Sequence, residues 1–153
     1  IALEQGLIVP SILDAQNLDL VSLSKQSKDL GSRSRGNGNP LSNEELTKGT
    51  FSTSNLGMFG THAFTAIIVP PQSGIIALGE VKKEPKVVDN KVEIRDIMYA
   101  TLSADHRVGD GAEGAVFMKK LKVHAPPRSA VPPPYRPAAR EHLIFSARHW
   151  GSS

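Results

Sequence analysis

The sequence predicts an α/β domain, and three observations carry the prediction. Apolar runs such as Leu7-Ile8-Val9, Phe64 to Val69, Ile75 to Leu78 and Ile97 to Leu102 have strand length and stop at proline, glycine or charge. Between and after them lie stretches with helical spacing or helix-cap signals. A chain of 153 residues is long enough to close one core around both kinds of element.

Ile1 to Leu13 reads as two extended pieces about Gln5-Gly6. Asn17 can cap a helix from about Leu18, with Leu20, Leu23 and Leu30 near one face. Gly31 to Pro40, rich in Gly, Ser, Arg and Asn, reads as a loop. Ser42 stands three residues before Glu45, the spacing of a capping box, so a short second helix comes next and Gly49 ends it. Thr50 to Ser54 alternates small hydroxyl residues with little apolar content, as expected of a strand end near a site. Gly57 and Gly60 bracket a turn. Phe64 to Val69 and Ile75 to Leu78 are expected as buried strands split by Pro70-Pro71, and Lys82 to Lys86 as a charged turn. Asp89-Asn90 between valine-rich flanks is a hairpin signal. Ile97 to Leu102 forms a further strand. Beyond Gly111, Ala112, Ala115, Val116 and Leu121 mark an amphipathic helix.

Composition narrows the function. The chain has no cysteine, which excludes disulfides, thiolate nucleophiles and Cys-ligated zinc. The net charge of +3 belongs to the end of the chain. Four of the 18 basic and one of the 15 acidic residues lie beyond residue 123, leaving the body neutral. With no basic stripe or aromatic ladder in that body, no nucleic-acid partner is expected. No segment has the length and apolarity of a membrane span, and no signal-peptide pattern is visible. The chain opens on Ile1 inside an apolar run without an initiator Met, which reads as a fragment cut through a strand. From Ala125 a proline-rich composition forbids regular helix or central strand, and that tail is expected to be extended or disordered.

One constellation carries chemistry. His106 stands at a strand end beside carboxylates, with Asp110 four residues on and Gly111 after it. A histidine so placed can act as a general base. The competing reading is a surface histidine with Asp110 capping the next helix, and the residues alone favour it.

The flanking sequence adds a resemblance. Leu102-Ser103-Ala104-Asp105-His106-Arg107-Val108-Gly109-Asp110-Gly111 resembles the active-site segment of the E2 acyltransferases of 2-oxo acid dehydrogenase complexes. Gly49 to Gly60 is similar to the family's second active-site segment. Phe64 to Gln72 and Gly6 to Pro10 are similar to two further segments, and all four fall in family order over about Ile1 to Val123. The resemblance implies a chloramphenicol acetyltransferase-like α/β sandwich of mixed sheet and helices, N-terminally truncated, over 1–123. It sets 124–153 outside the family fold as a Pro/Arg-rich, disordered tail. It implies a homotrimer within a larger E2 core, active sites between subunits, and E1 and E3 partners engaged through domains absent here. Coenzyme A or acetyl-CoA is then a substrate, the lipoyl group rides on an absent domain, and no metal is needed. The implied setting is the bacterial cytoplasm or the mitochondrial matrix.

On this sequence the implied base is His106, acting on the thiol of coenzyme A or dihydrolipoamide. The implied oxyanion donor is Ser54, 52 residues earlier and on a facing subunit; composition alone could not choose it from Ser52 and Thr53. Asp110 is expected to organise the loop through a hydrogen bond or ion pair. Arg107 has no assigned catalytic role, and His62, His124, His142 and His149 are expected to be solvated. Ser54 to Gly60 is most like the acetyl-transferring pyruvate-complex enzymes; succinyl relatives tend to carry a Thr and a Gly-Gly pair, and branched-chain relatives differ after the glycine. Two other readings stand beside this one. A non-catalytic core subunit would have no use for both His106 and Ser54. An antibiotic acetyltransferase would carry a second histidine where Asp105 stands. Pro132-Pro133-Pro134-Tyr135 formally matches a WW-domain ligand, though an extension with no selected role is the stronger reading.

Overall fold

Gly6 is the first point at which the chain reverses, and it does so at φ 146°, where side chains are strained. The turn lets β1 (Ala2–Leu3) pair antiparallel with β2 (Gly6–Leu7), as the two extended pieces predict. The computed structural model describes residues 1–3, 5–124 and 141–147, with backbone alone for Val123, His124 and 141–147. The chain divides into two compact units, Ile1–Thr50 and the part from Phe51 onward.

In the first unit, α1 spans Leu20–Ser34. It begins two residues later than expected because Asp19, not Asn17, is its cap, accepting the Ser22 N–H at 2.6 Å. Asn17 instead ends a 3₁₀ turn, Ala15–Asn17. The helix also runs through Gly31, since one helical glycine costs only about 1 kcal/mol, and Arg33 is held by Asp29 one turn back at 2.8 Å. α2 (Asn43–Thr47) carries the expected reciprocal cap: Ser42 Oγ accepts the Glu45 N–H and the Glu45 carboxylate accepts the Ser42 N–H. The same carboxylate takes the Arg33 guanidinium, which ties the two helices together and draws Glu45 down to about 2.

Among its described residues the second unit is a mixed sheet with one α-helix and a 3₁₀ turn, Gly57–Phe59. β3 (Ser52–Asn55) lies parallel to β4 (Gly74–Val88), and β4 runs antiparallel to β5 (Lys91–Ala104). α3 (Gly111–His124) comes next, and β6 (Glu141–Ala147) joins the outer edge of β5 in parallel. Mixed sheet plus helices is the predicted α/β class. Asp89 and Asn90 close the β4–β5 hairpin at φ 48° and 60°, both left-handed as a type I′ turn requires. β6 lies inside the stretch that the resemblance sets outside the family fold. Residues 125–140 and 148–153, which hold the proline run, lie outside the described residues.

Two strand expectations change. Lys82 to Lys86 is not a turn but the middle of β4. Its charges are satisfied by cross-strand and near neighbours, with Lys83 on Asp96 at 3.1 Å and Lys86 on Glu84 at 3.3 Å, so the ladder continues through them. Phe64 to Val69 is not a strand. No ladder holds it; the Ala66 carbonyl accepts the Ser103 hydroxyl at 2.8 Å instead.

The register gives the sheet two chemically different faces. Ile76 pairs with Leu102, and these two with Ala100 and Met118 of α3 form the core, edged by Leu78, Met98 and Leu121. The opposite rows hold Ser52, Ile75 and Ser103, then Ser54, Ala77 and Thr101. Ser52, Thr101 and Ser103 are buried there. Buried hydroxyls need partners: Ser103 finds Ala66, and Ser52 donates to Gln72.

The register shifts between Leu78 and Val81, and glycines meet at that bulge. A Cβ on Gly79 would lie 2.0 Å from the His62 carbonyl oxygen, and one on Gly57 would lie 2.7 Å from the Gly79 oxygen. Backbone cannot yield to such contacts as a side chain can. Gly79→Ala is therefore expected to destabilise the full-length protein by about 1–3 kcal/mol or more, read as a lower urea midpoint. An unchanged midpoint would show that the close approach is not required.

Candidate active site

The end of β5 and the start of α3 build one short turn, and its shape is set by two carboxylates. The Asp105 N–H donates to the Ser73 carbonyl at 2.9 Å, which ties the turn to the foot of β4. The Asp105 side chain then folds over Arg107. Its Oδ1 accepts the Arg107 backbone N–H at 2.9 Å, and both oxygens receive the Arg107 guanidinium, from Nε at 3.0 and 3.1 Å and from the terminal nitrogen at 2.6 Å. The Asp105 carbonyl accepts the Val108 and Gly109 N–H groups at 2.9 and 3.3 Å. His106 sits inside this turn, exposed to solvent.

Asp110 is the second carboxylate. Its Oδ1 accepts the Glu113 N–H at 2.9 Å, and Glu113 Oε2 accepts the Asp110 N–H at 3.0 Å. This is a reciprocal cap on α3. Capping is the role that the competing surface-histidine reading gives Asp110, and these two bonds are its form here.

Ser54 is half-buried in β3 on the hydroxyl-bearing face. Its neighbours differ from it. The Ser52 hydroxyl is committed to Gln72, and Thr53, pairing with Ile76, faces the α3 side by the strand alternation. Within one chain the topology does not bring Ser54 and His106 together. Ser54 shares its row with Ala77 and Thr101. His106 lies two strands away, about 10 Å at the usual spacing, and five residues beyond Thr101. Among the described residues no group of His, Asp and Glu could hold a metal ion, and no helix is long and apolar enough to cross a membrane. His62 is exposed, as expected, with its ring centroid 4.5 Å from that of Tyr99.

Sequence reasoning gives no role to Asp105. A signal is present: Asp-x-Arg after a strand is a short route to an aspartate-closed turn. Asp110-x-x-Glu113 also has capping-box spacing.

Residues 1–125 match the family model of the 2-oxoacid dehydrogenases acyltransferase catalytic domain. The chain belongs to that family. It is 44% identical over 119 residues to the succinyltransferase component of the 2-oxoglutarate dehydrogenase complex of Rickettsia typhi, covering 78% of this chain and 29% of that protein. It is 45% identical over 122 residues to the acetyltransferase component of the pyruvate dehydrogenase complex of Rickettsia bellii, covering 80% and 29%. Its fold matches the Azotobacter vinelandii dihydrolipoamide acetyltransferase at a TM-score of 0.66 and 32% identity, over 77% of this chain and 48% of that one. The chain thus spans under a third of the curated relatives' length and about half of that solved chain.

Two measurements test the turn. The fork to Arg107 draws the Asp105 carboxyl down to about 2. A depressed carboxyl stabilises the folded state above its unfolded pKa, about 3.9, and that contribution is lost as pH falls through about 2. A carboxyl NMR titration should place Asp105 near 2, and Arg107→Met should move it up; an unperturbed midpoint in the wild type would exclude the pair. Asp110→Ala should cost about 1 kcal/mol by loss of the cap, and Asp110→Asn a fraction of that, measured by thermal unfolding. Equal losses in the two variants would count against capping.

Proposed function

We propose that this chain carries the catalytic half-site of a dihydrolipoamide acyltransferase that moves an acetyl group between dihydrolipoamide and coenzyme A. The observation that carries the reading is one pattern of three residues. Ser54 precedes His106 by 52 positions and Asp110 follows it by four. In the Azotobacter enzyme, a serine, a histidine and an asparagine at the same two spacings were investigated for roles in the catalytic mechanism. Asp110 differs from that asparagine, yet either residue can cap a helix.

The chemistry asks little of each group. His106 takes the proton of the attacking thiol, and the thiolate adds to the acyl thioester. Negative charge gathers on the former carbonyl oxygen, where the Ser54 Oγ–H donates a hydrogen bond. Collapse expels the other thiolate, which recovers the proton from His106. Ser54 suits the donor role because its side chain makes no hydrogen bond among the described residues, while Ser52 is engaged. The separation of Ser54 from His106 by two strands supports a site completed across a subunit interface in a trimer. The larger core, with E1 and E3 engaged through other domains, follows the same reading.

The acetyl assignment rests on Ser54 to Gly60. A succinyl donor is the second reading, favoured by the match to the Rickettsia typhi succinyltransferase, which is as extensive as that to the acetyl enzyme. In the full-length protein His106→Ala should abolish acyl transfer. Ser54→Ala should lower kcat by roughly 10²–10³. Acetyl-CoA and succinyl-CoA assayed side by side decide the donor. Normal turnover in both variants would overturn the mechanism.

A further inference from the structure

We infer that Asp105, acting through Arg107, is the positioning residue of the base: it fixes the main chain that carries His106. The inference rests on the reading of His106 as the general base and extends it to a neighbour with no contact to the reacting atoms.

His106 stands on an exposed turn of the single chain. A base must be held in an attack geometry to be useful, and a displacement of about 1 Å can cost about 10²-fold in rate. The main chain beneath the imidazole must be rigid for that geometry to persist. Asp105 supplies that rigidity from three directions. Its N–H is tied to Ser73 at 2.9 Å, its carbonyl closes the turn onto Val108 and Gly109, and its carboxylate closes over Arg107. The carbonyl bonds hold the peptide before His106, the carboxylate bond to the Arg107 N–H holds the peptide after it, and the Ser73 bond anchors the strand end that leads in. The Asp110–Glu113 cap then fixes the far end of the same segment.

Arg107 is the other half of the device. Its guanidinium side chain is 90% exposed, yet two of its nitrogens meet both Asp105 oxygens. The fork is planar and bidentate, a geometry lysine cannot reproduce. An asparagine at 105 could still accept the Arg107 backbone N–H but would lose the charged fork. The structure thus orders the substitutions before any measurement: alanine removes both connections, asparagine one, and Arg107→Lys keeps the backbone bond while loosening the fork.

Steady-state kinetics of the full-length protein test this. Asp105→Ala should lower kcat by about 10²-fold with KM for coenzyme A within about twofold, because the change misplaces the base. Asp105→Asn should recover part of that loss, and Arg107→Lys should fall between Asn and wild type. The split of kcat from KM, together with rescue by asparagine, separates positioning from a general loss of fold. Wild-type kcat in Asp105→Ala, beside an inactive His106→Ala, would overturn the inference and leave the base in place. Wild-type kcat in His106→Ala would instead remove the base reading beneath it. If Asp105→Ala does not fold, Arg107→Met decides: an unchanged kcat there overturns the proposal.

Discussion

The pairing of Ile75 with Ser103 is the constraint on which the second unit depends. It places the side chains of β4 from Gly74 to Leu78 and of β5 from Ala100 to Ala104 on one of two faces, one apolar beneath α3 and one bearing hydroxyls that bond to Ala66 and Gln72. A slip of one residue would send Ile76 and Leu102 among the hydroxyls and leave Ser103 facing Met118. Two features hold the register. The left-handed pair Asp89-Asn90 fixes it at the hairpin, and the Ser103–Ala66 and Asp105–Ser73 hydrogen bonds fix it at the foot. The same register decides where β5 runs out, and so where the histidine-bearing turn begins.

Much of this is legible in the sequence because the signals are local. The Ser42–Glu45 cap, the Asp89-Asn90 turn and the apolar runs of β4 and β5 each lie within a few residues, and each forms. Expectation and structure part where the deciding partner is distant. Lys82 to Lys86 resembles a charged turn until Asp96 is seen beside Lys83, 13 residues away in sequence. Phe64 to Val69 has the composition of a strand, yet it covers a sheet face, and periodicity cannot distinguish covering from joining. At the start of α1 both Asn17 and Asp19 are competent caps, and only backbone geometry chooses between them.

The site shows the same division. His106 and Asp110 can be picked out from spacing within one segment. Ser54 cannot be separated from Ser52 and Thr53 by composition; the strand alternation and the Gln72 bond distinguish them. For Asp105 the Asp-x-Arg spacing signals a closed turn, but the number of backbone groups it gathers is a property of the folded turn. The order Asp105-His106-Arg107 thereby acquires a physical meaning that each residue lacks alone.

The cap at the head of α3 has a consequence for recognition. The N-terminus of a helix ordinarily offers bare N–H groups and a positive dipole end to a phosphate. Here the Glu113 N–H, one of those bare groups, is taken by the Asp110 carboxylate. A second carboxylate, that of Glu113, lies over the same spot. This helix end has in effect bound its own anion. An anionic group approaching this end of the helix would meet negative charge rather than an open cradle of N–H donors.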